Sequence, residues 1–210
     1  MSPFINKYWQ QTFFFFSAIF IFATFFQLGN FSWLLKIIPI LILIYISTQL
    51  LERSKYKWFF LGLIFSLIGD FVLDYFAAAG FIFGLAAFFI AHVFYIIYFG
   101  RWQWNSQNSA IAFTVVVYGS IVMWFLLPNL GALFYPVIAY MLILTLMAFS
   151  AFFSNKTNYW FVLGGISFVI SDSILGLNKF YVPFEASHSL IMLSYYFAQY
   201  ALVKGCLKIK

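Results

Sequence analysis

Eight long apolar stretches separated by short polar links leave this chain few ways to fold. A helix crosses a bilayer with about 20 mostly apolar residues, and roughly 17 can suffice. The stretches near 13–28, 32–51, 58–76, 81–99, 109–127, 131–153, 159–177 and 186–204 approach or exceed that length. Their apolar residues run continuously, without the alternation of barrel strands, so helices are the structure that satisfies the backbone in lipid. Composition leaves no water-soluble alternative. Only 8% of the residues are charged and 65% are hydrophobic, against about 25% charged in a soluble domain. The expected fold is an all-α integral membrane protein with eight transmembrane helices, a single polytopic membrane domain over 1–210.

The links fit this division. Leu28-Gly29-Asn30 reads as a turn, Glu52 to Lys57 as a charged loop and Ala77 to Gly80 as a tight connection. Gly100 to Asn108 and Ser154 to Asn158 are polar, Pro128-Asn129 breaks the chain, and Asn178 to Pro183 closes the seventh helix. The N-terminal pattern of Lys7 followed by apolar residues resembles a signal peptide. The bulky run after it lacks a small-residue cleavage site, so it reads as the first helix.

The net charge is +6, but the basic residues stand singly in short links and do not form a nucleic-acid surface. They act as topology signals and lipid contacts. Lys7, Arg53, Lys55, Lys57, Arg101, Lys156, Lys204, Lys208 and Lys210 fall on one side, and only Lys36 and Lys179 on the other. This nine-to-two bias predicts cytoplasmic N- and C-termini in a bacterial-type plasma membrane, if the source is prokaryotic. An even helix number agrees. Cys206 is the one cysteine, which excludes an intrachain disulfide.

A weak repeat links the third and seventh segments. Gly62, Ile64, Gly69, Asp70 and Leu73 are matched in register by Gly164, Ile166, Ser171, Asp172 and Leu175. A parallel four-plus-four duplication would place the two aspartates across a shared axis. Chance likeness between apolar helices is the other explanation.

The residues that cost most to bury point to chemistry. A carboxylate deep in a membrane helix costs roughly 2.5–3.5 kcal/mol on insertion scales, and such groups usually face a bundle interior. Asp70 and Asp172 are matched in this way; the plainer reading is a hydrogen-bonded clamp between helices. If they adjoin, one proton is shared between them, which gives an acid beside a carboxylate. Asp74 lies one turn from Asp70, as a mouth residue or a helix-end charge in water. His92 and Tyr95 share a helix face, where the histidine can relay protons or simply be hydrogen-bonded. Lys36 can snorkel to the headgroups, pair with an aspartate or bind a phosphate. Ser171, Ser173 and Asn178 flank Asp172 as hydrogen-bonding groups, and the polar tips of Tyr195 and Gln199 need partners. His92, His188 and the aspartates could ligate a metal, but no metal-binding spacing is present, and neither a metal nor a cofactor is expected.

These segments resemble the YhhN family of lysoplasmalogenase-type membrane hydrolases. The likeness rests on Leu67-Ile68-Gly69-Asp70, Ala91-His92-Val93-Phe94-Tyr95, Pro136 to Tyr140, Ser171-Asp172-Ser173 with Asn178-Lys179-Phe180, and Tyr195 to Gln199. Lys36 and Pro39 are similar to the family's Lys-Pro, although two residues intervene here. The resemblance implies cleavage of the vinyl-ether bond of a lyso-ether lipid, giving an aldehyde and a glycerophospho-base. It casts Asp70 and Asp172 as acid and base, His92 and Tyr95 as positioning groups, and Lys36 or Lys179 as the phosphate holder. Two other classes use the same residues: a proton-coupled small-solute transporter, and a structural protein in which the aspartates only join helices. Oligomeric state is not legible in the sequence.

Overall fold

The computed structural model describes the backbone of residues 3–26 and 32–209, and side chains over 7–26, 33–76 and 80–209. Eight α-helices follow one another: α1 (Pro3–Phe25), α2 (Ser32–Leu50), α3 (Lys57–Tyr75), α4 (Ala77–Phe99), α5 (Ser106–Leu126), α6 (Phe134–Phe153), α7 (Tyr159–Phe180) and α8 (Ser187–Lys208). No strand occurs among the described residues. Among the described residues, seven helices, α2 to α8, are long and apolar enough to cross a membrane. Helix α1 has the length, but Lys7, Gln10 and Gln11 dilute its first half.

Several boundaries differ from the expected ones. Helix α1 starts ten residues before the apolar stretch at 13, because a polar helical turn needs no apolar residue to continue; residues 27 and 28 lie outside the described residues. Residues 77–80 are the first turn of α4 and not a separate link. The run from 131 opens as a 3-10 turn, Gly131–Leu133, and α6 begins at Phe134. Helix α7 continues through Asn178 and Lys179 to Phe180. The lysine there complements the negative end of the helix dipole.

The chain divides into two compact units, Met1–Tyr98 with Cys206–Lys210, and Phe99–Gly205. The first holds α1 to α4, the second α5 to α7 and most of α8. Within the first unit, α3 and α4 approach closely through glycine. A Cβ on Gly69 would meet the Phe88 ring at 2.6 Å, and one on Gly62 would overlap the Tyr95 ring. We expect Gly62→Leu to destabilise the protein by about 1–3 kcal/mol, the usual cost of overpacking. Unfolding in detergent checks this, with Gly119→Ala as the comparison, since nothing lies within 4 Å of a Cβ at Gly119. Equal stability of the two variants would refute the close approach.

Both units carry large exposed apolar side chains, among them Phe83, Phe113, Trp124 and Tyr135. Such surface is tolerable where lipid, not water, is the solvent. Caps appear where the chain leaves the apolar region. Asn105 accepts from Gln107 N–H at 2.9 Å to start α5, and Asn158 accepts from Trp160 and Phe161 to start α7.

Candidate active site

In the first unit, Lys36 of α2 is 5% exposed and Asp70 of α3 is 2% exposed. Lys36 Nζ stands 3.9 Å from Asp70 Oδ1 and 3.9 Å from Asp74 Oδ1. One cation therefore serves two carboxylates, spaced one helical turn apart so that both project to the same side of α3. Of the roles open to Lys36, pairing is the one seen; it does not snorkel. Asp74 is a paired residue too, with its side chain 17% exposed. The geometry follows from antiparallel neighbours: Lys36 lies early in α2 and the aspartates late in α3, so all three fall at one end of the unit.

Helix α4 brings His92 and Tyr95 into the same unit, both fully buried. The Tyr95 hydroxyl lies 3.5 Å from Ser66 Oγ. Phe88 and Tyr95 pack on Gly69 and Gly62, so His92, four residues after Phe88, stands on the face of α4 that meets α3.

In the second unit, the Tyr140 hydroxyl of α6 donates to Asp172 Oδ2 of α7 at 2.5 Å. A phenol donating to a carboxylate is among the stronger kinds of hydrogen bond, and this one is part-buried. Sequence reasoning gave Tyr140 no role of its own. The available signal was a tyrosine on an apolar helix whose hydroxyl needs a partner in lipid. Tyr140→Phe is expected to cost about 1.5–3 kcal/mol, the worth of a hydrogen bond to a charged group. Detergent unfolding checks it, and a melting curve identical to that of the parent would contradict the contact.

The other polar residues of α7 and α8 make the following contacts. Ser171 Oγ donates to the Ile191 carbonyl of α8 at 3.0 Å. Asn178 Oδ1 accepts from Phe184 N–H at 3.2 Å and pins the link after α7. Lys179 is exposed in the last turn. Gln199 Nε2 donates to the Tyr195 hydroxyl at 3.3 Å along α8, and Phe168 meets the Tyr195 ring edge-on. Ser173 Oγ is buried with no hydrogen-bond partner among the described residues. No three His, Cys, Asp or Glu side chains among the described residues gather as a metal site.

The two aspartates occupy equivalent positions. Each stands thirteen residues after the first residue of its helix, Lys57 to Asp70 and Tyr159 to Asp172. Each meets a polar side chain from the helix before it, Lys36 or Tyr140.

Several proteins are similar to this chain in sequence. The bovine (Bos taurus) lysoplasmalogenase TMEM86A is 31% identical over 159 residues, covering 71% of this chain and 65% of the relative. Human (Homo sapiens) lysoplasmalogenase TMEM86B is 29% identical over 187 residues, 87% of this chain and 78% of the relative. A lysoplasmalogenase of Mycobacterium bovis is 29% identical over 157 residues, 71% of this chain and 60% of the relative. The chain thus spans between about three fifths and four fifths of these proteins' lengths. No solved structure matches it. The YhhN family model matches residues 31–206, the span that holds Lys36, Asp70, Asp74, His92, Tyr140 and Asp172, and the chain belongs to the YhhN family.

Proposed function

We propose that this chain is a membrane-embedded hydrolase that cleaves the vinyl-ether bond of lysoplasmalogen-type lyso-lipids. One observation supports the proposal: within the family-matched span, two carboxyl groups sit at equivalent helix positions, Asp70 beside a cation and Asp172 hydrogen-bonded by a tyrosine. Insertion of such groups into lipid is costly, and the bundle keeps two. The relatives' names supply the substrate class.

The chemistry suits carboxylic acids. A proton added to the β-carbon of the vinyl ether converts the double bond and ether oxygen into an oxocarbenium ion. Water adds to the cationic carbon and loses a proton to a base. The resulting hemiacetal breaks its C–O bond, leaving a fatty aldehyde and the glycerophospho-base. One water is consumed and the proton is returned. Asp70 and Asp172 are the candidates for the two carboxyl roles, proton donor and charge-stabilising base. His92 and Tyr95 position or relay, and Lys36 offers a cation to a phosphate. The substrate is a lyso-ether lipid drawn from the bilayer, with both protein termini on the cytoplasmic side.

The test is incubation of purified protein with lysoplasmalogen and with plain lysophospholipid, measuring aldehyde and fatty acid separately. Aldehyde from the first substrate alone is the expected result. Fatty acid from the second would replace the proposal with an esterase. Solute accumulation in vesicles without product would replace it with a transporter.

A further inference from the structure

A groove of about 670 Å³ runs along the second unit between α5 and α6. Its volume lies within the range of small-molecule sites. Its walls include Met123 and Trp124 on one side and Met141, Leu142 and Phe149 on the other. Gly119 lies in the wall from α5, and a Cβ there would meet nothing within 4 Å. The one threonine in the lining, Thr145, spends its hydroxyl on the Met141 carbonyl at 2.8 Å. With Ser120 as the other hydroxyl in the lining, the groove presents mainly hydrocarbon and sulfur. At one end stands Trp102, held by a hydrogen bond from its indole N–H to Ser150 Oγ at 3.1 Å. At the other end, Ile138 and Met141 flank Tyr140 in sequence, the residue that holds Asp172. From Ile138 to Phe149 the wall is about 16 Å long at the rise of an α-helix.

We propose that this groove seats the single hydrocarbon chain of the lyso-lipid, its ether end level with Tyr140 and Asp172 and its tail toward Trp102. The inference rests on the hydrolase reading and deepens it. Two features select this occupant. The groove is a long apolar cleft between two neighbouring helices, a shape that suits an extended hydrocarbon chain. Its head end also lies at the level of the half-buried Asp172 carboxyl group, so a chain lying along it carries the vinyl ether to that depth. The methionines adapt to chains of differing unsaturation.

Filling the floor tests the idea. Gly119→Trp should shorten the groove and exclude the end of a long chain from burial. The ratio of kcat/KM for a long-chain lysoplasmalogen to that for a short-chain one is expected to fall about tenfold, as for the loss of two methylenes from a pocket. Phe113→Ala, on an exposed part of α5 outside the groove, should leave the ratio unchanged. An unchanged ratio in Gly119→Trp overturns the groove while leaving the hydrolase reading intact. If the parent protein releases no aldehyde from any substrate, the hydrolase reading fails and the groove is judged by labelling. A lysophospholipid with a photoreactive diazirine at its chain end should then label peptides around Trp102 and Phe149, without competition from two-chain phospholipid. Labels scattered over all lipid-facing helices, or equal competition by two-chain lipid, would overturn it. The same labelling of the parent decides the matter if Gly119→Trp does not fold.

Discussion

Turnover of lysoplasmalogen is expected to fall by about 10²–10⁴-fold in Asp70→Asn and in Asp172→Asn, the usual contribution of a positioned acid or base. Asparagine keeps the size of the side chain and much of its hydrogen-bonding capacity, but it can neither carry the charge nor exchange the proton. The substitution at Asp172 leaves an acceptor oxygen for Tyr140. At Asp70 it removes one of the two carboxylates shared by Lys36 while Asp74 remains. Both variants should therefore be recovered folded, with detergent unfolding close to that of the parent. Inactivity with a preserved fold separates chemistry from a purely structural clamp, whose loss would appear first as lost stability. Full activity in both variants would end the mechanism proposed here.

The largest stability effect is expected at Lys36. Its side chain is 6% exposed, and those of Asp70 and Asp74 are 3% and 17% exposed. Replacing Lys36 with methionine keeps the length of the stem and removes the charge between two carboxylates in a low-dielectric interior. Breaking a buried pair by deleting one partner typically costs about 3–5 kcal/mol, because the other partner is left uncompensated. Pairing Lys36→Met with Asp70→Asn should recover part of the loss, since the uncompensated charge is then removed as well. A Lys36→Met protein as stable as the parent would mean that the 3.9 Å approaches carry no energy. Because Lys36 can serve both stability and phosphate binding, the methionine variant should also raise KM; Lys36→Arg, which keeps the charge, separates the two effects.

What could be read directly was set by the solvent. A chain with eight long apolar stretches and 8% charge has no low-energy state in water, and in lipid every backbone group must pair within its own segment. Helices α2 to α8 therefore follow from hydropathy, whereas α1 begins in a polar turn that hydropathy does not mark. The expense of burying Asp70, Asp172, His92 and Lys36 likewise marks them in the sequence, because each must be offset by a partner. Helix ends were less legible. Residues 77–80 continue into α4 and Asn178 stays within α7, since polar and small residues tolerate a helical turn that apolar periodicity neither requires nor forbids.

The partners themselves belonged to tertiary structure. Nothing local in the sequence selects pairing over snorkelling for Lys36; the antiparallel packing of α2 and α3 does, by setting its ammonium group 3.9 Å from Asp70 and from Asp74. Tyr140 lies 32 residues from Asp172, and only the contact of α6 with α7 makes it a donor. The sequence places Ser171 and Asn178 beside Asp172, and the tertiary structure supplies their hydrogen-bond partners, the Ile191 carbonyl of α8 and the Phe184 N–H of the following link. Composition decides that a buried charge must find a counterpart, because desolvation is a property of the residue. Which counterpart it finds depends on distances between helices, and those are fixed only when the side chains have packed.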